Sequence, residues 1–190
     1  MFNTLLLSSF ATLALAAPLA QSGVLPSLDD STWAPAPGFE TTCDANAQQL
    51  ISLDLEPQLE TVLNNACAAM MAPCAYPELL PENTVCIKTV VWPLEKAVES
   101  TQTVTVQTLE GEKSTEGKVK FAVTPVSQAE DAPPVQWTKE ECYGYFAYML
   151  QKSQPEGCHS EQGFGTGKLV TGGDSPFKST VFEIAIVSEE

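Results

Sequence analysis

The sequence predicts an α+β fold in which about two helices pack on one face of an antiparallel sheet and disulfides staple the whole. Three observations predict it. Two stretches, around 57–72 and 138–151, carry apolar residues at helical spacing, and three others, around 104–108, 119–123 and 180–187, alternate as strands do. Helices and strands that follow one another without a regular βαβ alternation point to an antiparallel sheet with helices to one side. Six cysteines follow an N-terminal segment built like an export signal.

That segment is residues 1–16. It has no charged side chain, is apolar from Leu5 to Leu15 and ends in Ala14-Leu15-Ala16. An apolar core followed by small residues is the layout of a secretory signal peptide, and cleavage is expected before Ala17. The stretch is too short to span a bilayer, which takes about 20 apolar residues, so no membrane insertion is expected once the signal is cut. Export to an oxidising compartment makes Cys43, Cys67, Cys74, Cys86, Cys142 and Cys158 disulfide partners. Each bridge is worth about 2–4 kcal/mol. Fifteen pairings exist; closeness in sequence favours Cys142 with Cys158 and two bridges among the first four.

Residues 17–42 are rich in Pro and Ala, and Pro18, Pro26, Pro35 and Pro37 deny them regular structure. They are expected to form a flexible leader unless Trp33 and Phe39 tuck onto the folded body. The single α+β domain is expected to span 43–190. Leu50, Ile51, Leu53 and Leu55 form a short apolar stretch whose type the sequence leaves open. The first helix is expected to start at Pro57, which suits the first helical position. It buries Leu59, Val62, Leu63, Ala66, Cys67 and Met70, and stops at Pro73. Residues 84–92 are β-branched and apolar, a strand ended or placed at an edge by Pro93. Val104 and Val106, then Val119, Phe121 and Val123, alternate with polar neighbours. The charged stretch 110–117 joins them as a hairpin loop, and 127–134 forms a second acidic connection. Thr138 and Glu141 frame a capping box, in which each side chain satisfies the other's backbone N–H. The helix that it opens buries Cys142, Tyr145, Phe146, Met149 and Leu150 and ends before Pro155. Gly172-Gly173-Asp174 turns the chain into a last strand, 180–187, apolar on both faces and therefore central in the sheet.

Composition narrows function. Twenty-four acidic residues face nine basic ones, all lysines, for a formal net charge of −15. Nucleic-acid binders neutralise phosphates with Lys and Arg, so no nucleic-acid partner is expected. Without arginine the chain also lacks the preferred clamp for carboxylates and phosphates. No metal-ligand spacing, cofactor motif or sequon occurs, and no cofactor is expected. His159, the single histidine, has no nucleophile elbow to serve and is expected at the surface. Gly163-Phe164-Gly165-Thr166-Gly167-Lys168 fails as a phosphate loop because Leu169 stands where Ser or Thr belongs. A flexible glycine loop is expected there. Paired carboxylates, the one hydrolytic chemistry that needs neither His, Arg nor metal, occur at Asp29-Asp30, Glu130-Asp131, Glu140-Glu141 and Glu189-Glu190. Tyr143, Tyr148, Trp92 and Trp137 are the aromatics that an exposed sugar platform would use.

The stretch from Trp137-Thr138-Lys139-Glu140-Glu141-Cys142 through Cys158 to Thr171-Gly172-Gly173 and Phe182-Glu183-Ile184 resembles small secreted fungal proteins. In that group of extracellular effectors and killer-toxin-like proteins, a cysteine opens a helix, a second follows it, and a Gly-Gly hairpin leads to a closing strand. The resemblance implies an α/β sandwich and a non-enzymatic secreted protein acting on a host, a competitor or a cell wall. It implies no catalytic, cofactor or metal residues. The group's killer toxins often carry basic surfaces, so the likeness of this acidic chain does not extend to a membrane-active toxin. The expectation is an effector-like interaction protein. Its alternatives are a small secreted glycoside hydrolase working with two carboxylates, and a carbohydrate-binding module.

Overall fold

The computed structural model describes residues 33–53, 58–109, 113–127, 133–174 and 177–187. The expected signal peptide and the first part of the Pro/Ala-rich stretch lie outside the described residues. Among the described residues the strands and α-helices run in the order β1 (Glu40–Cys43), β2 (Gln49–Ile51), α1 (Leu59–Met70), β3 (Trp92–Leu94), β4 (Val98–Thr108), β5 (Ser114–Thr124), β6 (Val135–Trp137), α2 (Lys139–Gln151), β7 (His159–Ser160), β8 (Gly163–Phe164), β9 (Gly167–Val170) and β10 (Val181–Val187). Eight of them form one antiparallel sheet in the order β1-β9-β10-β5-β4-β2-β8-β7, while β3 and β6 pair separately.

The eleven-residue strands β4 and β5 are the centre of this sheet, in register from Val98 opposite Val123 to Gln107 opposite Ser114. Period-two alternation sends Val104 and Val106 of β4, and Val119, Phe121 and Val123 of β5, into the core. β10 lies between β9 and β5, as expected of a strand apolar on both faces, with Phe182 and Ile184 buried. The hairpin connection is shorter than expected. β5 begins at Ser114, and Gly117 lies inside the strand, where a Cβ would come within 2.7 Å of the Val106 side chain.

α1 buries Val62, Leu63, Ala66, Cys67 and Met70 and packs against β4. It starts at Leu59 with Gln58 as N-cap, and Pro57 lies outside the described residues. α2 opens with the expected capping box: the Glu141 amide donates to Thr138 Oγ1 at 3.0 Å, and the Thr138 amide donates to Glu141 Oε2 at 2.7 Å. Phe146 of α2 meets Phe121 and Phe182 edge-on, with ring centroids 5.3 Å away in both cases. The helices touch each other and are tied by Cys67–Cys142.

Four expectations need correction. The packed chain begins ahead of Cys43, because Trp33 and Phe39 tuck onto the folded body, the alternative that the sequence left open, and Trp33–Glu190 forms one compact unit. Residues 33–39 lie across α2, with Trp33 against Tyr145 at 5.0 Å and Phe39 against Tyr148 at 5.3 Å, and Glu40 already belongs to β1. The aromatic pair supplies burial that the prolines do not prevent. α2 is therefore covered on more than one side, and Gly144 and Ala147 are buried besides the expected stripe.

The second correction concerns the bridges, which are Cys43–Cys158, Cys67–Cys142 and Cys74–Cys86. Cys142 and Cys158 do not pair, and only one bridge forms among the first four cysteines. The reason is stiffness. From Cys142 to Gln151 the chain is helix, rising about 1.5 Å per residue, and the Cys158 amide donates to the Met149 carbonyl at 2.6 Å, which holds Cys158 near the helix's far end and beyond the roughly 7 Å between Cα atoms that a disulfide spans.

The third is the strand expected over 84–92. Residues 84–91 form no strand; pairing begins at Trp92 and runs through Pro93 to Leu94. Pro93 fits because β3 has a partner on one side only. Finally, the glycine-rich stretch expected as a flexible loop contributes β8 and the start of β9. Its glycines serve close approach: a Cβ on Gly165 would lie 2.6 Å from the Cys158 carbonyl oxygen, and one on Gly167 would lie 2.3 Å from that of Thr42.

Candidate functional site

Two features of the folded unit have the form of a site, and the first follows from how the sheet closes. The sheet's end strands are β1 and β7. Cys43, last in β1, is bonded to Cys158, which directly precedes β7, and the Asp44 amide donates to the Thr166 carbonyl at 2.9 Å. Where the chain turns from β1 toward β2, it walls a cleft of about 790 Å³ lined by Thr42, Asp44, Asn46, Gln48, Thr166 and Lys168, together with Glu183 of β10. Hydroxyl, amide and charged groups share this lining with the apolar side chains of Ala47, Ala185 and Ile186. Its two carboxylates are already engaged: Asp44 accepts the Asn46 amide at 2.9 Å, and Glu183 pairs with Lys168 at 3.3 Å.

The second feature is a loop. After α1, Pro73 and Pro77 each start a short 3₁₀ turn, Pro73–Ala75 and Pro77–Leu79. Cys74 in the first of these is bonded to Cys86. From there the chain runs through Ile87, Lys88, Thr89, Val90 and Val91 to the buried Trp92, which stands opposite Trp137 in the β3–β6 pair. Val85 is 93% exposed, Ile87 85% and Val90 72%, and Leu79 and Val91 are exposed as well. Large aliphatic side chains gathered this way at a surface mark interaction sites.

The residues singled out from sequence are largely accounted for by structure. Trp92 and Trp137 are buried cross-strand partners and offer no face to a sugar. Tyr148 is held by Phe39 and donates to Glu156 Oε2 at 2.9 Å, and Lys152 lies over its ring. Tyr143 is half-buried, and loss of hydration together with the nearby Glu60 charge pushes its phenol up to about 12. His159 touches Phe164, with ring centroids 5.5 Å apart, and its imidazole makes no hydrogen bond to any described residue. Of the acidic pairs, Glu140-Glu141 alone lies within the described residues. Burial raises the Glu141 carboxyl above the ordinary range, although the bonds from Thr138 oppose the shift. That carboxyl caps a helix and does not line the cleft. Among the described residues, no group of three or more His, Cys, Asp or Glu side chains is arranged to hold a metal ion. Nor is any helix long and apolar enough to cross a membrane.

Sequence reasoning missed both features. The cleft is built by residues that are adjacent only after the sheet curls. The loop had a visible signal, a β-branched run, but that run is equally what a buried strand looks like. Compared with known proteins, the chain matches no family model, no curated protein and no solved structure.

Proposed function

We propose that this is a secreted, effector-like interaction protein without a catalytic centre, and that it binds an extracellular partner or a cell-wall component through the loop 84–91. The observation that carries the reading is the exposure of Val85, Ile87 and Val90 on a segment anchored by a disulfide at one end and a strand pair at the other. Exposed aliphatics cost solubility, and anchoring lowers the entropy lost when such a segment is ordered by a partner. The three disulfides are what export through an oxidising compartment calls for. The resemblance to small fungal effectors supports the same reading, as does packing of both helices over one face of the sheet, which we infer from Phe146 on Phe121 and from the Cys67–Cys142 tie.

A second reading, a glycoside hydrolase, is favoured by Asp44 and Glu183 lining one cleft. One experiment separates the two. The protein and its Val85→Ser/Ile87→Ser/Val90→Ser variant are tested for retention on a panel of cell-wall polysaccharides and extracellular proteins, with hydrolysis followed in the same samples. The binding reading expects retention by a panel member and a loss of about tenfold or more in the variant. Hydrolysis that Asp44→Asn or Glu183→Gln abolishes overturns it.

A further inference from the structure

We infer that the loop 84–91 is a substrate-like inhibitory loop for serine endopeptidases that cleave after lysine, with Lys88 entering the specificity pocket. The inference deepens the binding reading above and rests on it.

Four observations converge on Lys88. It carries the single charge in Thr84-Val85-Cys86-Ile87-Lys88-Thr89-Val90-Val91 and is exposed at the middle of that run. It makes no ion pair or hydrogen bond with a described residue, so its ammonium is free to enter a partner. The backbone around it is free as well. Residues 84–89 form no helix, turn or strand, and Val85, Ile87, Lys88 and Val90 make no backbone hydrogen bond to a described residue. A protease binds its substrate as an added strand, so unpaired amides and carbonyls on both sides of the target residue are what its cleft requires. Val85 and Ile87 before Lys88, and Val90 and Val91 after it, are apolar side chains that fill the flanking subsites.

The loop is also braced, which distinguishes an inhibitor from a flexible substrate. On one side Cys86, two residues before Lys88, is fixed to Cys74. On the other, Thr89 Oγ1 donates to the Val91 carbonyl at 2.9 Å and accepts the Val91 amide at 3.3 Å, and Trp92 is buried opposite Trp137. Restricting a segment to its bound form removes ordering cost and raises affinity. The bracing also acts on the chemistry. Attack of the protease serine on the Lys88 carbonyl carbon breaks the Lys88–Thr89 bond and places a proton on the Thr89 nitrogen. Because Thr89 stays tethered through Val91 and Trp92, the new amine remains beside the acyl carbon and re-forms the bond. The pocket chemistry selects lysine: trypsin-type enzymes hold an acidic residue at the base of that pocket.

The test uses the full oxidised chain with trypsin and a small chromogenic lysine amide. Competitive inhibition with an inhibition constant below about 1 μM is expected, the weak end of what an interface of standard size gives. Lys88→Ala, an exposed and unpartnered position, should weaken it by about 30-fold or more, the weight of one anchoring side chain. Lys88→Phe should transfer inhibition to chymotrypsin. Absence of inhibition overturns the inference, as does an undiminished effect of Lys88→Ala. Rapid, complete cleavage of the Lys88–Thr89 bond overturns it too, by making the loop a substrate. If the Val85/Ile87/Val90 variant loses retention on the panel while trypsin remains uninhibited, this inference falls and the binding reading stands. If trypsin remains uninhibited and nothing on the panel is retained through the loop, the binding reading falls with it.

Discussion

Cys43 and Cys158 are 115 residues apart in sequence and 5.5 Å apart between Cα atoms, and the bond between them joins the two ends of the eight-stranded sheet. Thr41 Oγ1 donates to the Glu156 carbonyl at 2.7 Å beside it, so the closure has a hydrogen bond as well as a covalent link. Closing a sheet removes an edge on which another chain would otherwise pair. By the chain-entropy account, a loop of this length contributes about 4–5 kcal/mol. Cys43→Ser/Cys158→Ser should lose several kcal/mol in urea unfolding and aggregate more readily. Cys74→Ser/Cys86→Ser, which opens a loop of separation 12, should lose less, and near-ultraviolet dichroism should show its core intact.

Gly144 is where the N-terminal segment meets α2. A Cβ there would stand 2.4 Å from the Trp33 ring, and the neighbouring Tyr145 hydroxyl accepts the Ala36 amide at 3.3 Å. Gly144→Ala gains helix propensity but displaces the indole, so a net loss of about 1–3 kcal/mol is expected. Red-shifted tryptophan emission is the accompanying sign.

Phe146 lies on both Phe121 and Phe182 and is fully buried. Phe146→Ala should cost about 3–5 kcal/mol, the range for a large core side chain replaced by a cavity. Chemical denaturation of the oxidised protein measures it, with the slope of the transition expected to stay unchanged.

Burial raises the Glu141 carboxyl above its ordinary value of 4.5, opposed by the hydrogen bonds from Thr138. A raised carboxyl favours the folded state in its protonated form. Its contribution is complete below the unfolded value and is lost as pH rises through the folded one. Glu141→Gln keeps an acceptor for the Thr138 amide and removes the titration. The difference in stability between the two proteins should therefore change across the carboxylate range and stay flat above it, as pH-dependent urea midpoints would record.

What the sequence made legible was local. The capping box at Thr138 and Glu141, the stripe on α2 and the alternation in β4, β5 and β10 all depend on neighbours within a few residues, and the structure has them where periodicity put them. The bridges were not legible, because which cysteines meet depends on how far the sheet curls, and the stiffness of α2 defeats any rule of nearness. The loop 84–91 was misread for a different reason: Val85, Ile87, Val90 and Val91 have the composition of a buried strand, yet they stand exposed between the bridge at Cys86 and the pairing at Trp92. The cleft at Asp44 and Glu183 depends on residues far apart in the chain, with no periodic signal to connect them.

Either the braced loop or the cleft at Asp44 and Glu183 meets the partner. Hydrogen exchange of the protein alone and bound to whatever panel member retains it measures this directly. Protection concentrated at 85–91, with the amides around Asp44, Thr166 and Glu183 unchanged, is the predicted result. Protection at the cleft with the loop still exchanging freely would contradict it.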